Sequence, residues 1–159
     1  MTNLESIFQR FDTHHQNVTH RVLTFVSFPI LWYGIVGMFW SMNPSALVNL
    51  FPYTDPTFLN WALVVVLVTL LFYFTVSQPL FFGMAAIFTG FLVLTNILVQ
   101  MQLMDLGKLS AILFLSAGLL LFIGSKLDKE KLGLKPTQLI LYGPLWCLSK
   151  VFKVFGINF

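Results

Sequence analysis

The stretch FLNWALVVVLVTLLFYFTVSQPLFFGMAAIFTGFLVLTNILV, residues 58–99, contains two apolar segments, 58–76 and 80–99. About 20 apolar residues in a helix cross the core of a bilayer, so each segment predicts one transmembrane helix. Ser77, Gln78 and Pro79 separate the segments, and proline disfavours helix in the residue before it. The stretch therefore predicts a tight hairpin of two membrane-spanning helices.

The remainder of the chain is similarly apolar. Hydrophobic residues make up 57% of the 159 residues and charged residues 9%, and the mean hydropathy is +0.84. A soluble domain carries about 25% charged residues, so this composition excludes a water-exposed globular surface. Two further apolar segments, 22–40 and 109–124, predict additional spans, the second of them short. We therefore expect a single membrane domain over residues 1–159.

The basic residues predict an orientation. Arg10 and Arg21 precede the first predicted span, and the loop 41–56 holds no lysine or arginine. Four lysines follow the fourth predicted span: Lys126, Lys129, Lys131 and Lys135. By the positive-inside rule both basic flanks, and with them both termini, are expected to be cytoplasmic. The net charge of +3 then reflects orientation in a membrane, and no nucleic-acid partner is predicted. The expected membrane is the endoplasmic reticulum in a eukaryote and the inner membrane in a bacterium.

The two ends of the chain predict amphipathic structure. A mostly apolar stripe at helical spacing predicts one N-terminal amphipathic helix over residues 1–21 that leads into the first span. The stripe comprises Leu4, Phe8, Phe11, His15, Val18, Val22 and Phe25. The segment 137–159 is apolar but is interrupted at Gly143–Pro144 and carries Lys150 and Lys153, which predicts a bent interfacial or re-entrant segment. The expected fold class is an all-α integral membrane protein with about four transmembrane helices.

All three histidines lie in FDTHHQNVTHRVLTFVSFP, residues 11–29, at His14, His15 and His20. On one continuous helix His15 lies on the apolar face and His20 on the opposite side, about 140° away at ~100° per residue. The two can then share a metal only if the helix breaks between them. Imidazole is a common metal ligand, although a histidine on an apolar face is also often a hydrogen-bonded structural residue. A carboxylate would have to complete the shell: the candidates are Asp12, Asp128 and Glu130.

Two motifs carry a family resemblance. The first places an aromatic residue, His15, Asn17, Arg21 and Pro29 in order along residues 11–29. The second, LLLFIGSKLDKEKLGLKPTQLILYGPLW, residues 119–146, carries Phe-Ile-Gly, an acidic residue, a proline and an apolar segment with Gly-Pro. Together they resemble the small membrane proteins related to the yeast endoplasmic-reticulum 2-hydroxy fatty acid dioxygenase of fatty acid alpha-oxidation.

This resemblance implies an Fe(II)-dependent, oxygen-consuming site at the membrane surface, with a long-chain 2-hydroxy fatty acid or a membrane lipid as partner. The metal ligands expected in this chain are His15, His20 and Glu130. Thr24 and Ser125 stand where the family has histidines, and His20, four residues before Thr24, is the nearest substitute. The chain is thus expected to be a divergent member, of reduced or lost activity. The alternatives are a catalytically silent lipid-binding relative and a membrane scaffold without a site.

Overall fold

The computed structural model describes residues 3–14, 17–50, 59–102, 105–127 and 136–156, and within them the chain is all-helical, with no strand. The described residues form seven helices, in chain order α1 (Asn3–His14), α2 (Val18–Trp40), α3 (Ser45–Leu50), α4 (Trp61–Val76), α5 (Gln78–Met101), α6 (Leu106–Leu127) and α7 (Pro136–Val154). The expectation of an all-α chain is therefore confirmed.

Among the described helices, α2, α5 and α6 are long and apolar enough to cross a membrane. The hairpin at residues 77–79 forms as the sequence predicts, with Ser77 alone between α4 and α5. Helix α4 has 16 residues, about 24 Å at 1.5 Å per residue, against a bilayer core of about 30 Å. Helix α6 is longer than the predicted segment 109–124, because its 22 residues include Lys126 and Leu127.

The prediction of one helix running from the N-terminus into the first span is wrong. Helix α1 ends at His14, and Asn17 caps the start of α2, with its side-chain oxygen accepting the Thr19 N–H at 2.9 Å. A capping asparagine has extended backbone and starts a new helix, so the two helices have independent faces. Val18 and Val22 are accordingly exposed, whereas His20, placed on the polar side by the sequence pattern, is buried.

Helices α2 and α6 pack closely and antiparallel. Gly37 lies against Ser110 near one end of the pair, and Gly124 lies against His20 near the other. A Cβ on Gly34 would stand 2.8 Å from the backbone nitrogen of Phe114, so this position has no room for a side chain. Small residues allow such backbone contact between membrane helices. We call the His20–Gly124 end of the bundle the basal end and the Gly37–Ser110 end the apical end.

The other long helices continue this alternation. Trp61 at the start of α4 donates its indole N–H to the carbonyl of Asn43, just beyond α2, at 3.1 Å. Helix α4 thus begins at the apical end, and the hairpin brings the start of α5 to the basal end. Helices α2, α4, α5 and α6 therefore alternate in direction.

Helix α7 packs on α2 and α5 at the basal half of the bundle, where Gly143 receives the ring of Phe28 and Gly83 receives Leu148. The predicted interruption at Gly143–Pro144 is wrong, since α7 continues through both residues. Proline lacks the N–H that would bond to the carbonyl four residues earlier. Here that carbonyl, of Ile140, accepts the indole N–H of Trp32 at 3.1 Å.

The next carbonyl of α7, that of Leu141, accepts the hydroxyl of Tyr73 at 3.0 Å. Side chains of α2 and α4 therefore satisfy the backbone around Pro144, which is the condition under which proline is tolerated inside an apolar helix.

Candidate functional site

The structure describes one of the three predicted metal ligands. His20 is buried on α2, with its ring against the α6 backbone at Gly124. Thr24, one turn further along α2, is also buried. His15 and Glu130 lie outside the described residues.

The position after Gly124 has a different environment. The side chain of Ser125 is exposed, and its hydroxyl donates to the carbonyl of Phe122 in the same helix at 2.8 Å. Successive residues on a helix are rotated by ~100°, so Gly124 faces α2 and Ser125 does not. The two positions that carry histidine in the resembled family, Thr24 and Ser125, therefore do not converge here.

Within residues 3–14, 17–50, 59–102, 105–127 and 136–156, no three histidine, cysteine, aspartate or glutamate side chains converge on one point. The end of α1 at His14 and the start of α2 at Val18 supply the helix break that a shared site for His15 and His20 requires. With two of its three ligands outside the described residues, the iron site stays a prediction.

A polar cluster joins α1 to α7. Oδ1 of Asp12 accepts the indole N–H of Trp146 at 2.9 Å and forms an ion pair with Nζ of Lys150 at 2.5 Å. Phe11 stacks on Trp146 with ring centroids 5.5 Å apart. Partial burial by itself raises the pKa of Asp12, but the hydrogen bonds from Lys150 and Trp146 and the positive charge of Lys150 outweigh it, so the pKa lies below the usual 3.8. Asp12 is therefore a structural carboxylate in this arrangement.

An apolar groove lies next to this cluster, between α2, α5 and α7. It has a volume of about 160 Å³ and is lined by Phe25, Phe28, Pro29, Trp32, Met84, Ile87, Phe91, Pro144, Cys147, Leu148 and Val151. Phe28, Met84 and Leu148 form its buried wall, whereas Ile87 and Val151 are 38% and 41% exposed. The groove therefore opens on the outer surface of the bundle, and its walls suit hydrocarbon.

The groove has a defined direction. Its three walls are residues 25–32, 84–91 and 144–151, each about 10 Å long at 1.5 Å per residue. Phe25, Met84 and Val151 mark the basal end of these walls. Phe25 also packs on Trp146 with centroids 5.4 Å apart, and Lys150 lies over that indole at 5.6 Å. The basal mouth therefore adjoins the charged cluster, while the other end lies among aromatic rings.

Sequence reasoning missed both the groove and the Asp12 cluster, because both depend on how α7 docks. The sequence signal that could have indicated the groove is the proline inside each of α2 and α7, because Pro29 and Pro144 both line it. Comparison with known proteins finds no matching family model, no matching curated protein and no matching solved structure.

Proposed function

We propose that this chain is an integral membrane protein that binds one hydrocarbon chain of a membrane lipid or long-chain fatty acid in the groove between α2, α5 and α7. The observation that carries the proposal is the groove itself: its lining is apolar, it opens on the outer surface, and its basal mouth lies beside a lysine. An acyl chain lying along it would have its polar head at the basal surface. Ligand sites of this kind are concave and mostly apolar, with a few polar groups that fix orientation.

The same proposal includes a four-span topology with both termini in the cytoplasm. The alternation of α2, α4, α5 and α6 supports four crossings, with α4 the shortest of the four. Basic residues also gather at the basal end, where α1, the end of α6 and the C-terminal part of α7 lie. Cytoplasmic loops carry the excess of lysine and arginine, so the basal end is assigned to the cytoplasm.

Substitution at Val151 tests the groove. We expect Val151→Phe to lower photo-crosslinking by a diazirine-bearing palmitate about tenfold, because the larger ring occupies the opening. The protein is assayed in phosphatidylcholine nanodiscs, and the crosslinked peptides are identified by mass spectrometry. Val154→Phe is the matched control on the same helix, since Val154 is 84% exposed and does not line the groove. Equal crosslinking of the two variants, or label placed outside α2, α5 and α7, contradicts the proposal.

The Fe(II)-dependent dioxygenase implied by the sequence resemblance stays a separate prediction. The burial of His20 beside the end of α6 favours this prediction. The exposed side chain of Ser125 counts against it, because a metal ligand is expected at that position. Iron analysis of the purified protein decides between the iron enzyme and lipid binding alone. Stoichiometric iron that is lost in both His15→Ala and His20→Ala supports the enzyme, and a folded, iron-free protein after loading with Fe(II) leaves lipid binding alone.

A further inference from the structure

A second recess lies on the other half of the bundle, between α2, α4 and α5. It has a volume of about 270 Å³ and is lined by Trp40, Asn60, Leu63, Thr89, Leu92, Val93 and Asn96. Trp40 ends α2 and Asn60 precedes α4, so the recess opens at the apical end. It shares no lining residue with the groove described above.

The recess concentrates hydrogen-bonding groups that the fold does not use. Within the described part of the chain, neither the side-chain amide of Asn96 nor the indole N–H of Trp40 makes a hydrogen bond. Asn60 accepts the Leu63 N–H through Oδ1 at 2.9 Å, which leaves its amide donors. Thr89 donates to the carbonyl of Ala85 at 2.8 Å and keeps its acceptor lone pairs. Asn96 and Trp40 are half-buried, and an amide without a partner in an apolar setting is costly, so these groups are available to a ligand.

The depth of the recess fits the polar boundary of a bilayer. Helix α5 has 24 residues, about 36 Å at 1.5 Å per residue, and Asn96 lies about 7 Å from its apical end. With a hydrocarbon core of about 30 Å, Asn96 is placed just inside the apical hydrocarbon boundary. Tryptophan is enriched at that boundary, and Trp40 lies at the apical end of α2. Leu92 and Thr89 continue the recess toward the middle of the membrane.

The chemistry of the lining selects the ligand. None of its seven side chains is ionisable, so a phosphate or carboxylate would lack a counter-charge there. The indole and amide N–H groups suit ester carbonyls, and the amide oxygen of Asn96 suits a hydroxyl. We propose that this recess binds an uncharged glycerolipid with a free hydroxyl, of the diacylglycerol class, with its head at Asn96 and one chain along Leu92 and Thr89.

The test is photo-crosslinking with a diazirine-bearing diacylglycerol in phosphatidylcholine nanodiscs. We expect Asn96→Leu to lower the label on α4 peptides, which line only the recess, about five- to tenfold, the effect of one or two lost hydrogen bonds. Leucine has the same branched skeleton of four side-chain heavy atoms as asparagine but is bulkier and lacks the hydrogen-bonding groups. Asn49→Leu is the matched control, because Asn49 is exposed on α3, and it should label as the unmodified protein does.

Three further measurements test this site and separate it from the groove. Val93→Trp should block the recess sterically, since Val93 lines it and is 54% exposed. Val151→Phe should leave the diacylglycerol label on α4 unchanged, because no α4 residue lines the groove. Phosphatidylglycerol with the same diazirine chain should label the recess at least several-fold less. The proposal is overturned by equal labelling of Asn96→Leu and Asn49→Leu, or by equal labelling with the charged lipid.

Discussion

At the scale of single residues, Asp12 shows how one carboxylate can fix a surface helix. Its Oδ1 atom meets both the indole of Trp146 and the ammonium of Lys150, so α1 is attached to α7 by charge as well as by the stacking of Phe11. Sequence spacing offered Asp12 as a possible metal ligand. The structure instead engages it within the protein, where it joins α1 to α7.

Replacing this carboxylate should weaken the attachment of α1 in a pH-dependent way. We expect Asp12→Asn to lower the free energy of unfolding at pH 7 by at most ~1 kcal/mol, because the Asp12 side chain is 43% exposed and exposed ion pairs are worth little. The pKa of Asp12 is depressed below 3.8, so its contribution is present above that pH. The contribution is lost as the pH falls through the depressed value.

The measurement is the detergent unfolding curve of both proteins between pH 7 and pH 2. The two curves should converge as the pH falls below the depressed pKa of Asp12, where its carboxyl is protonated. Glu5→Gln makes the same chemical change at an exposed position of α1 and should have little effect. A constant difference between Asp12→Asn and the unmodified protein at all pH values argues against the ion pair as its cause.

The one-residue step from Gly124 to Ser125 also determines whether residue 125 can contribute a metal ligand. Gly124 lies under the His20 ring, whereas the Ser125 hydroxyl bonds to its own helix on the exposed side. A ligand at residue 125 would therefore need a rotation of α6, which the close contact at Gly34 opposes, because there the neighbour is the backbone of α6.

At the scale of elements, α7 is a helix that depends on its neighbours. Pro144 removes one backbone donor inside an apolar segment, and Trp32 replaces it at the carbonyl of Ile140. Tyr73 serves the adjacent carbonyl of Leu141. The element that sequence reasoning placed as a broken interfacial segment is thus completed by side chains from α2 and α4, and its docking creates the groove.

Loss of the Trp32 donor should destabilise the protein in a way that Pro144 controls. We expect Trp32→Phe to cost about 1–3 kcal/mol, because it leaves the Ile140 carbonyl unpaired in an apolar environment. In a Pro144→Ala background the new backbone N–H at position 144 can bond to that carbonyl, so Trp32→Phe should cost measurably less. Equilibrium unfolding in mixed micelles gives the four free energies of this double-mutant cycle.

Trp61→Phe is the control for loss of an indole, since Trp61 donates to a carbonyl in a more exposed setting. Its cost should be smaller than that of Trp32→Phe and independent of residue 144. An equal cost of Trp32→Phe in both backgrounds shows that packing, not the hydrogen bond, accounts for the loss.

At the scale of the whole molecule, charge divides the bundle into two ends. The basal end carries most of the described basic residues: Arg10, Arg21, Lys126, Lys150 and Lys153. The apical end carries Lys108, which pairs with Asp105 at 3.5 Å. Under the proposed four-span topology, the groove mouth and the apical recess lie in opposite leaflets.

Cysteine labelling tests the arrangement of the ends. In a Cys147→Ala background, single cysteines at Glu5 and Lys153 should react with a membrane-impermeant maleimide from one side of sealed vesicles. A cysteine at Lys108 should react from the other side, because four alternating helices bring both basic flanks to the same face. Reaction of the Lys153 and Lys108 positions from the same side contradicts the four-span topology.

The amino-acid sequence by itself determined the class of the protein, the hairpin at Ser77 and the approximate segments of the long helices, because hydropathy and helix-breaking residues act locally. The sequence pattern singled out His20 as a candidate ligand but placed it on the polar face of the helix, whereas it is buried. The break between His14 and Val18 depends on a cap at Asn17, which the continuous apolar stripe concealed. Only the tertiary structure decided the continuity of α7, the Asp12–Lys150 pair, the groove and the apical recess. These features depend on how each helix is rotated against the others, and interhelical contacts such as those at Gly34 and Gly143 set that rotation.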